Sequence, residues 1–561
     1  MTGVEIQKFV VSIGDSAFCG CSKLSDVVIQ DGVTNIGTGT FENCNNLVSV
    51  TIPKSVIGIG NAAFSGCEKL NELVFPVSLN YLGMEIVYGC SNLPNITYRG
   101  TQAQWVKLCS NSNSEWKKGW NGTVICLDTP TEQPDEPDKP NVPFGRMDKE
   151  VRIIVMGENR KYFSFDTSSE TKISKAIYRR NEQVEKRLGI SLKMIDVHSS
   201  NFCQRIRASQ LVGEFAYDLA ALPSELSSFA IEGFFYNIMQ KENCNYIDLS
   251  HSWYNQRYVE AAPINGVLPF VTGGMTPETW DHTSAMYYNK DLSDAYDYPL
   301  TEIVREARWT IEIMREMTRE VHNDINENGV FDEGDLGGLA IASASDCCAL
   351  LYATGFQIAG RDENNAVTLS FSQRNSDAAS HLYQIYTDKT NTFWNASDSS
   401  ITRNVFIGGQ AMLLCDTLGQ ASKIKDAKFN YGILPLPRYN AAQVDYISVP
   451  SSVSLIGVLC NNDISASTAI LEVMGYYSQL EILPAYKTSF GLADQENLQM
   501  LGIVLESITP NFETVWYSVG ISEGILTQIQ SGSAFTDFWK KNSAVYNKKL
   551  SDLASELGNM Q

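Results

Sequence analysis

The sequence predicts a mixed α/β protein, a short solenoid of strands followed by a larger domain built on parallel sheets. Three observations carry this: a 23-residue repeat near the amino terminus, a proline-rich interruption at 129–143, and strand–helix–strand patterning from residue 151 onward. With 561 residues and 43% hydrophobic content, the chain can bury large cores, enough for about three or four domains of ordinary size.

The repeat runs "IGDSAFCGCSKLSDVVI", "IGTGTFENCNNLVSVTI", "IGNAAFSGCEKLNELVF" and a degenerate "LGMEIVYGCSNLPNITY". Ile13, Ile36, Ile59 and Leu82 share one register. Phe18, Phe41, Phe64 and Val87 share a second, Cys21, Cys44, Cys67 and Cys90 a third, and Leu24, Leu47, Leu70 and Leu93 a fourth. A fixed period of this size means stacked coils, because one coil alone cannot bury its apolar positions. The alternation in "LSDVVI" gives one short strand per coil. The cysteine column could be a disulfide or metal ladder, but cysteine is among the most buried residue types, so core packing is expected. The pattern resembles the BspA-type leucine-rich repeats of bacterial surface proteins, and "YRGTQAQWVKLC" with "NGTVICLD" resembles the tryptophan-bearing cap of such arrays, which together span 1–128.

"TPTEQPDEPDKPNVP" then brings five prolines, several charges and almost nothing apolar, so residues 129–145 read as a spacer extending roughly 3 Å per residue. Beyond it, "VRIIVMG" reads as a buried strand. "KISKAIYRRNEQVEKRLG" reads as an amphipathic helix with Ile173, Ile177, Val184 and Leu188 on one side, and "ISLKMIDV" and "YDLAALP" as further strands. Ligands in open α/β sheets sit at the carboxyl ends of the strands.

Five landmarks then fall in order: "GVLPFVTGG" (266–274), "SAMYYNKDL" (284–292), "ARWTIEIM" (307–314), "VFIGGQAMLLCDTLG" (405–419) and "YGILPLPRY" (431–439). Their order resembles that of extracellular solute-binding proteins of family 1, the ABC-importer type, across residues 146–561. The resemblance implies a two-lobed periplasmic-binding-protein-like fold of type II, which captures a sugar or oligosaccharide by lobe closure and hands it to an ABC permease. It implies that Asp416 and Thr417 occupy a ligand-facing loop. Where sugar binders of this kind often carry a tryptophan, this chain has Leu418.

Enzyme signatures are missing: G-x-S-x-G, H-E-x-x-H, G-x-x-x-x-G-K-[ST] and, after the first strand, G-x-G-x-x-G do not occur. The five histidines, at 198, 251, 282, 322 and 381, show no metal-ligand spacing on a predicted helix. Carboxylate pairs of the glycosidase kind are too common in an acidic chain to be informative. The expectation is a binding protein and not an enzyme. The vicinal pair Cys347 and Cys348 lies in an apolar run and reads as buried thiols ahead of a redox switch.

Sugar sites stack apolar ring faces on aromatic side chains while a few polar groups bond the hydroxyls. Trp280 with Asp281, directly ahead of the first crossing strand, is the leading candidate pair. Trp253, Trp394 and Trp516 lie among polar neighbours and are further candidates, with packing as the competing reading. Glu158, Asn159 and Arg160 follow the first strand, and Trp309 opens an amphipathic helix and is assigned to the core.

"DINENGVFDEGD" (324–335) has a calcium-loop pattern: Asp324, Asn326 and Asn328 at positions 1, 3 and 5, Gly329 for the turn, the Val330 carbonyl at 7, Asp332 at 9 and Asp335 at 12. A polar turn is the competing reading. A helix containing Ile313, Met314, Met317 and Val321 enters the loop, and "LGGLAIAS" leaves it as a strand. Calcium is therefore expected as a structural brace, because a sensor needs two helices to reorient.

The formal net charge of -21 disfavours nucleic acid and anionic membranes as partners. No segment reaches the roughly 18 to 20 apolar residues of a membrane span. "MTGVEIQKF" has no signal-peptide pattern. Both halves resemble exported bacterial proteins, so a cell-surface location is expected, with the export leader outside this sequence. The repeats would then meet cell wall or a host surface. The principal alternative is a surface adhesion protein without a transport role.

Overall fold

The computed structural model describes all residues other than 1–2, 8–9, 31, 80, 100–104, 106–107, 110–111, 113–114, 127–139, 141, 143–146, 165–170, 241–245, 333, 364, 396–397, 461–462, 493, 532–534 and 559–561. The chain divides into two compact units, residues 1–136 and 137–561.

In the first unit the strands run β1 (Gly3–Ile6), β2 (Ser12–Ile13), β3 (Asp26–Ile29), β4 (Asn35–Ile36), β5 (Ser49–Thr51), β6 (Gly58–Ile59), β7 (Glu72–Phe75), β8 (Tyr81–Leu82), β9 (Asn95–Tyr98) and β10 (Thr123–Cys126). Odd-numbered strands and β10 form one parallel sheet in the order β1-β3-β5-β7-β9-β10, and β2-β4-β6-β8 form the other. Partners Val27, Val50, Leu73 and Ile96 are all buried, which is the sequence alternation converted into an inward face. Phe18 stacks on Phe41 at 5.3 Å, and Phe41 on Phe64 at 5.5 Å.

The cysteine column is core. Cys44, Cys67 and Cys90 are free thiols, and each donates to a carbonyl of the preceding coil, Phe18, Phe41 and Phe64 respectively, at 3.1 to 3.2 Å. Burial pushes the Cys44 thiol up to about 11 and the Cys90 thiol up to about 12. Trp105, Trp116 and Trp120 close the array as a buried aromatic cluster, with the Trp120 indole donating to the Leu93 carbonyl at 2.8 Å.

The expected spacer, 129–145, lies outside the described residues except Pro140 and Val142. Those two already belong to the second unit: Val142 is buried in its core, and the Arg187 guanidinium donates to both carbonyls.

The second unit has two lobes, each with its own sheet, as the predicted fold class requires. The first lobe contains β11 (Lys149–Met156), α1 (Lys172–Leu188), β12 (Ile190–Val197), α2 (Phe202–Leu211), β13 (Leu219–Pro223), α3 (Gln256–Ala261) and α4 (Glu278–Asp281). The chain then enters the second lobe with β14 (Ser284–Asn289), α5 (Lys290–Ala295), α6 (Leu300–Arg305), α7 (Ile311–Glu320), β15 (Gly337–Ile341), α8 (Ala344–Ala353), β16 (Ala359–Arg361), β17 (Val367–Leu369), α9 (Gln373–Thr387), β18 (Thr392–Phe393), α10 (Ser399–Ile407), β19 (Ala411–Thr417), α11 (Ala421–Ile424) and β20 (Tyr431–Leu434). It returns as β21 (Ser454–Val458) and α12 (Ile464–Tyr477), then continues through α13 (Leu483–Ser489), α14 (Gln495–Glu506), α15 (Phe512–Val515), α16 (Ile521–Ser531) and α17 (Phe535–Leu557).

The first sheet has the order β12-β11-β13-β21, and only β21 runs antiparallel to its neighbour. The second has the order β18-β15-β19-β14-β20, with β14 antiparallel to both neighbours. Thr171 caps α1 by accepting the Ser174 amide, and Gly189 in the left-handed conformation ends it one residue before β12. Ile177, Val184 and Leu188 are buried as the periodicity predicts.

The passages between lobes lie side by side. Thr283 bridges Pro450, Ser448 bridges Ile508, and the Ser451 amide donates to the His282 carbonyl at 2.9 Å. Three strips of backbone therefore lie side by side at the joint, and one hydrophobic cluster, with Ile177 of α1, Tyr287 of β14 and Leu414 of β19, runs across it. Among the described residues, no helix is long and apolar enough to cross a membrane.

Candidate functional site

The carboxyl ends of the two sheets meet around α4. A 3-10 turn (Gly157–Tyr162) follows β11, Glu225 follows β13, Thr417 ends β19, and Ser451 and Ser452 precede β21. Asp281 lies at the centre of these elements. Tyr162 donates its hydroxyl to Asp281 Oδ2 at 2.5 Å, and Tyr486 of α13 donates to Oδ1 at 2.8 Å. The chain fits tightly here: a Cβ at Gly419 would lie 2.9 Å from the Asp281 carbonyl. Burial, reinforced by the Asp281 charge, pushes both tyrosine hydroxyls up, so both remain protonated donors.

Trp280 packs edge-on against Tyr486 at 4.9 Å and is 8% exposed. It braces the Asp281 partner, and its ring face is not open in this conformation. Trp253 and Trp516 correct the expectation outright. Trp253 is 0% exposed, lies 4.1 Å from the His251 ring, and fits only because residue 475 is glycine, where a Cβ would fall 2.2 Å from the indole. Trp516 is 1% exposed and donates its indole N–H to the Ala262 carbonyl at 2.8 Å. Among their polar sequence neighbours, Asn255 and Asn511 cap α3 and α15, while others are buried with their own partners, as His251 is with Glu472 and Glu513 with the Ile358 and Ala359 amides. Trp394 is half-buried against Tyr386 at 4.3 Å, away from this cluster. Trp309 is core, as expected.

Glu158 and Arg160 are exposed and Asn159 half-buried on the turn after β11, and Arg160 pairs with Asp196 at the end of β12. Thr417 is half-buried, and its carbonyl accepts the Tyr287 hydroxyl at 3.1 Å. Asp416 is another correction: it is 2% exposed and points beneath the surface, where Arg403 of α10 donates to it at 2.7 Å. Successive residues of a strand face opposite sides, and β19 runs to Thr417, so the side chains of 416 and 417 do not both face a ligand.

Asp346 lies near Asp416. Its oxygens accept from Ser284 at 2.7 Å and Ser343 at 2.5 Å, and burial, with the neighbouring Asp416 charge, pushes its carboxyl up to about 7. A carboxyl raised in the folded state contributes stability that is full below its unfolded range and is lost as pH rises toward 7. Asp346→Asn has no such titration. Its stability relative to the parent should therefore improve between pH 4.5 and pH 7.5, by of the order of 1 kcal/mol per pH unit, measured by denaturation at both pH values.

Two further groups, missed from sequence, face the same region. His282 Nε2 lies 3.7 Å from Glu278 Oε1, and Ser452 donates to Glu225 at 3.0 Å. Glu278, Asp281 and Glu225 together hold the His282 imidazolium above the usual histidine range, Glu278 most strongly. Tyr162 and Tyr486 carry no motif: Tyr162 is four residues past the first of the expected positions, and Tyr486 comes from a helix 205 positions beyond Asp281. The vicinal thiols remain as expected, with Cys347 buried, Cys348 half-buried, and burial pushing Cys348 up to about 12.

In the 324–335 loop, Asp324 accepts the Asn328 and Gly329 amides at 3.3 and 2.7 Å, and Asn326 and Asn328 donate to Asp332 at 3.0 and 2.6 Å. Asp335 accepts the Ile325 and Asp332 amides at 2.9 Å each. The Asn323–Leu336 bridge closes the loop base between α7 and β15, so a strand follows it. The donor set of three carboxylates, two carboxamides and the Val330 carbonyl is of the kind a hard cation takes, but in this conformation the carboxamide nitrogens face Asp332 and the three carboxylates are not gathered to hold a metal ion.

Residues 1–113 match the family model for the BspA type leucine-rich repeat region, in six copies. No curated protein matches the chain. Among solved structures, the chain is similar to an ABC substrate-binding protein from Listeria monocytogenes in complex with cycloalternan, with 16% identity over 72% of this chain and 99% of that one, at a TM-score of 0.46. It is similar to a cyclic alpha-maltosyl-1,6-maltose binding protein from Arthrobacter globiformis, with 12% identity over 73% and 100%, at a TM-score of 0.48. It is also similar to UspC of M. tuberculosis, with 16% identity over 71% and 100%, at a TM-score of 0.47.

Proposed function

We propose that the second unit captures a small saccharide between its lobes and delivers it to an ABC importer, while the repeats attach the protein to a surface. The observation that carries this is the joint: two separate α/β sheets, their carboxyl ends meeting at α4, connected by three adjacent backbone strips. Such strips change φ and ψ while each sheet stays intact, which is what hinge closure around a ligand needs. The Asp281 cluster, with Tyr162 from one lobe and Tyr486 from beyond the return crossing, is tied to that joint. Asn159, Thr417, Ser451 and Ser452 add hydroxyl-bonding groups nearby.

Titration calorimetry of the full chain with oligosaccharides tests the reading. Saturable one-to-one binding is expected, and Asp281→Asn should weaken it about tenfold, or 1.4 kcal/mol. Absence of binding to any saccharide would favour a surface adhesion role.

We propose also that Asp324, Asn326, Asn328, Val330, Asp332 and Asp335 hold calcium as a brace on the α7–β15 connection. Calcium at 100 times its Kd should stabilise the chain by about 2.7 kcal/mol in thermal unfolding. Asp324→Ala should remove that gain, and chelation should leave saccharide binding intact.

A further inference from the structure

We infer that the solute held between the lobes is a cation, an amine-bearing saccharide rather than a neutral one; this rests on the capture reading above. Three carboxylates gather at the joint: Glu225 after β13, and Glu278 and Asp281 on α4. Asp281 is met by two tyrosine hydroxyls and Glu225 by the Ser452 hydroxyl. Glu278 differs. It is 7% exposed, its Oε1 faces His282, and its Oε2 accepts no hydrogen bond among the described residues. A buried carboxylate oxygen without a donor is costly, and a ligand donor removes the cost.

The charges near α4 leave room for a cation. One imidazole, His282, faces the three carboxylates, and all three raise its proton affinity. On the neighbouring turn, Arg160 is committed to Asp196, and Lys161 lies over the Tyr162 ring at 4.6 Å. Glu225, Glu278 and Asp281 are not placed together to hold a metal ion. An ammonium group suits the site better: it brings a positive charge and three N–H donors, where a sugar hydroxyl brings one donor and no charge.

Calorimetry on the full chain tests this with three probes: the fully deacetylated glucosamine trimer, its N-acetylated counterpart and maltotriose. The glucosamine trimer should bind about tenfold more tightly than the other two and should weaken as salt is raised. Glu278→Gln should remove about tenfold of that affinity. Glu225→Gln, at an exposed position, should remove a smaller part and serves where the buried substitution impairs folding. Equal or tighter binding of the acetylated trimer or maltotriose would overturn the cationic class and leave solute capture standing. If none of the three probes bound, both readings would fall.

Discussion

Arg403→Met should destabilise the second unit by about 3–5 kcal/mol near pH 8, because removing one partner of a buried ion pair leaves an uncompensated charge. Arg403 and Asp416 are both almost fully buried, with Arg403 Nε 2.7 Å from Asp416 Oδ2. Burial alone raises the Asp416 carboxyl, and Arg403 is the main influence pulling it down. Without the guanidinium, the folded-state range of Asp416 moves further up, so the carboxyl takes a proton on acidification. The penalty should therefore shrink as pH falls from 8 to 5, a sign opposite to that expected for a purely steric loss. Urea unfolding at both pH values checks this. Adding Asp416→Leu should recover much of the loss, since replacing both members of a buried pair by apolar groups is often near neutral.

Phe41→Ala should cost about 3–5 kcal/mol in the repeat unit, the range for truncating a fully buried phenylalanine. Phe41 is 0% exposed and stacked between Phe18 and Phe64. Its carbonyl accepts the Cys67 thiol, and its amide donates to Ala63 of the next coil. Each coil of a solenoid is held by its neighbours, so the loss propagates along the array. Two measurements check it: a lowered denaturation midpoint, and faster reaction of Cys67 with a thiol reagent, since the parent thiol is held protonated by burial. Phe18→Ala, at a half-buried position in the first coil, should cost less.

The two units differ in how legible they were. In the repeats, four apolar registers with one period specified the strands, the inward face and the cysteine column, because neighbouring coils repeat one local environment. In the second unit the long periodic elements were equally readable: Ile177, Val184 and Leu188 are buried on α1 as predicted. The site was less readable. Polar neighbours suggested that Trp253 and Trp516 were accessible, yet those neighbours serve as caps or are buried with partners of their own while the rings fill the core. The position of Asp281 ahead of the first crossing strand was readable. Its partners Tyr162 and Tyr486 were not, because a contact spanning 119 or 205 positions has no sequence spacing to betray it. Glu278 was hidden by abundance: in a chain with 64 acidic residues a single carboxylate carries no signal until its burial and unmet oxygen are seen.

Lobe closure is the claim on which capture depends. It is tested most directly by the distance between dyes at Leu211 on α2 and Tyr383 on α9, exposed positions in different lobes, during titration with glucosamine and maltose oligomers. A change in that distance that saturates with the calorimetric isotherm is the predicted result. Tight binding at an unchanged distance, or an unchanged distance with no binding by any oligomer, would contradict it.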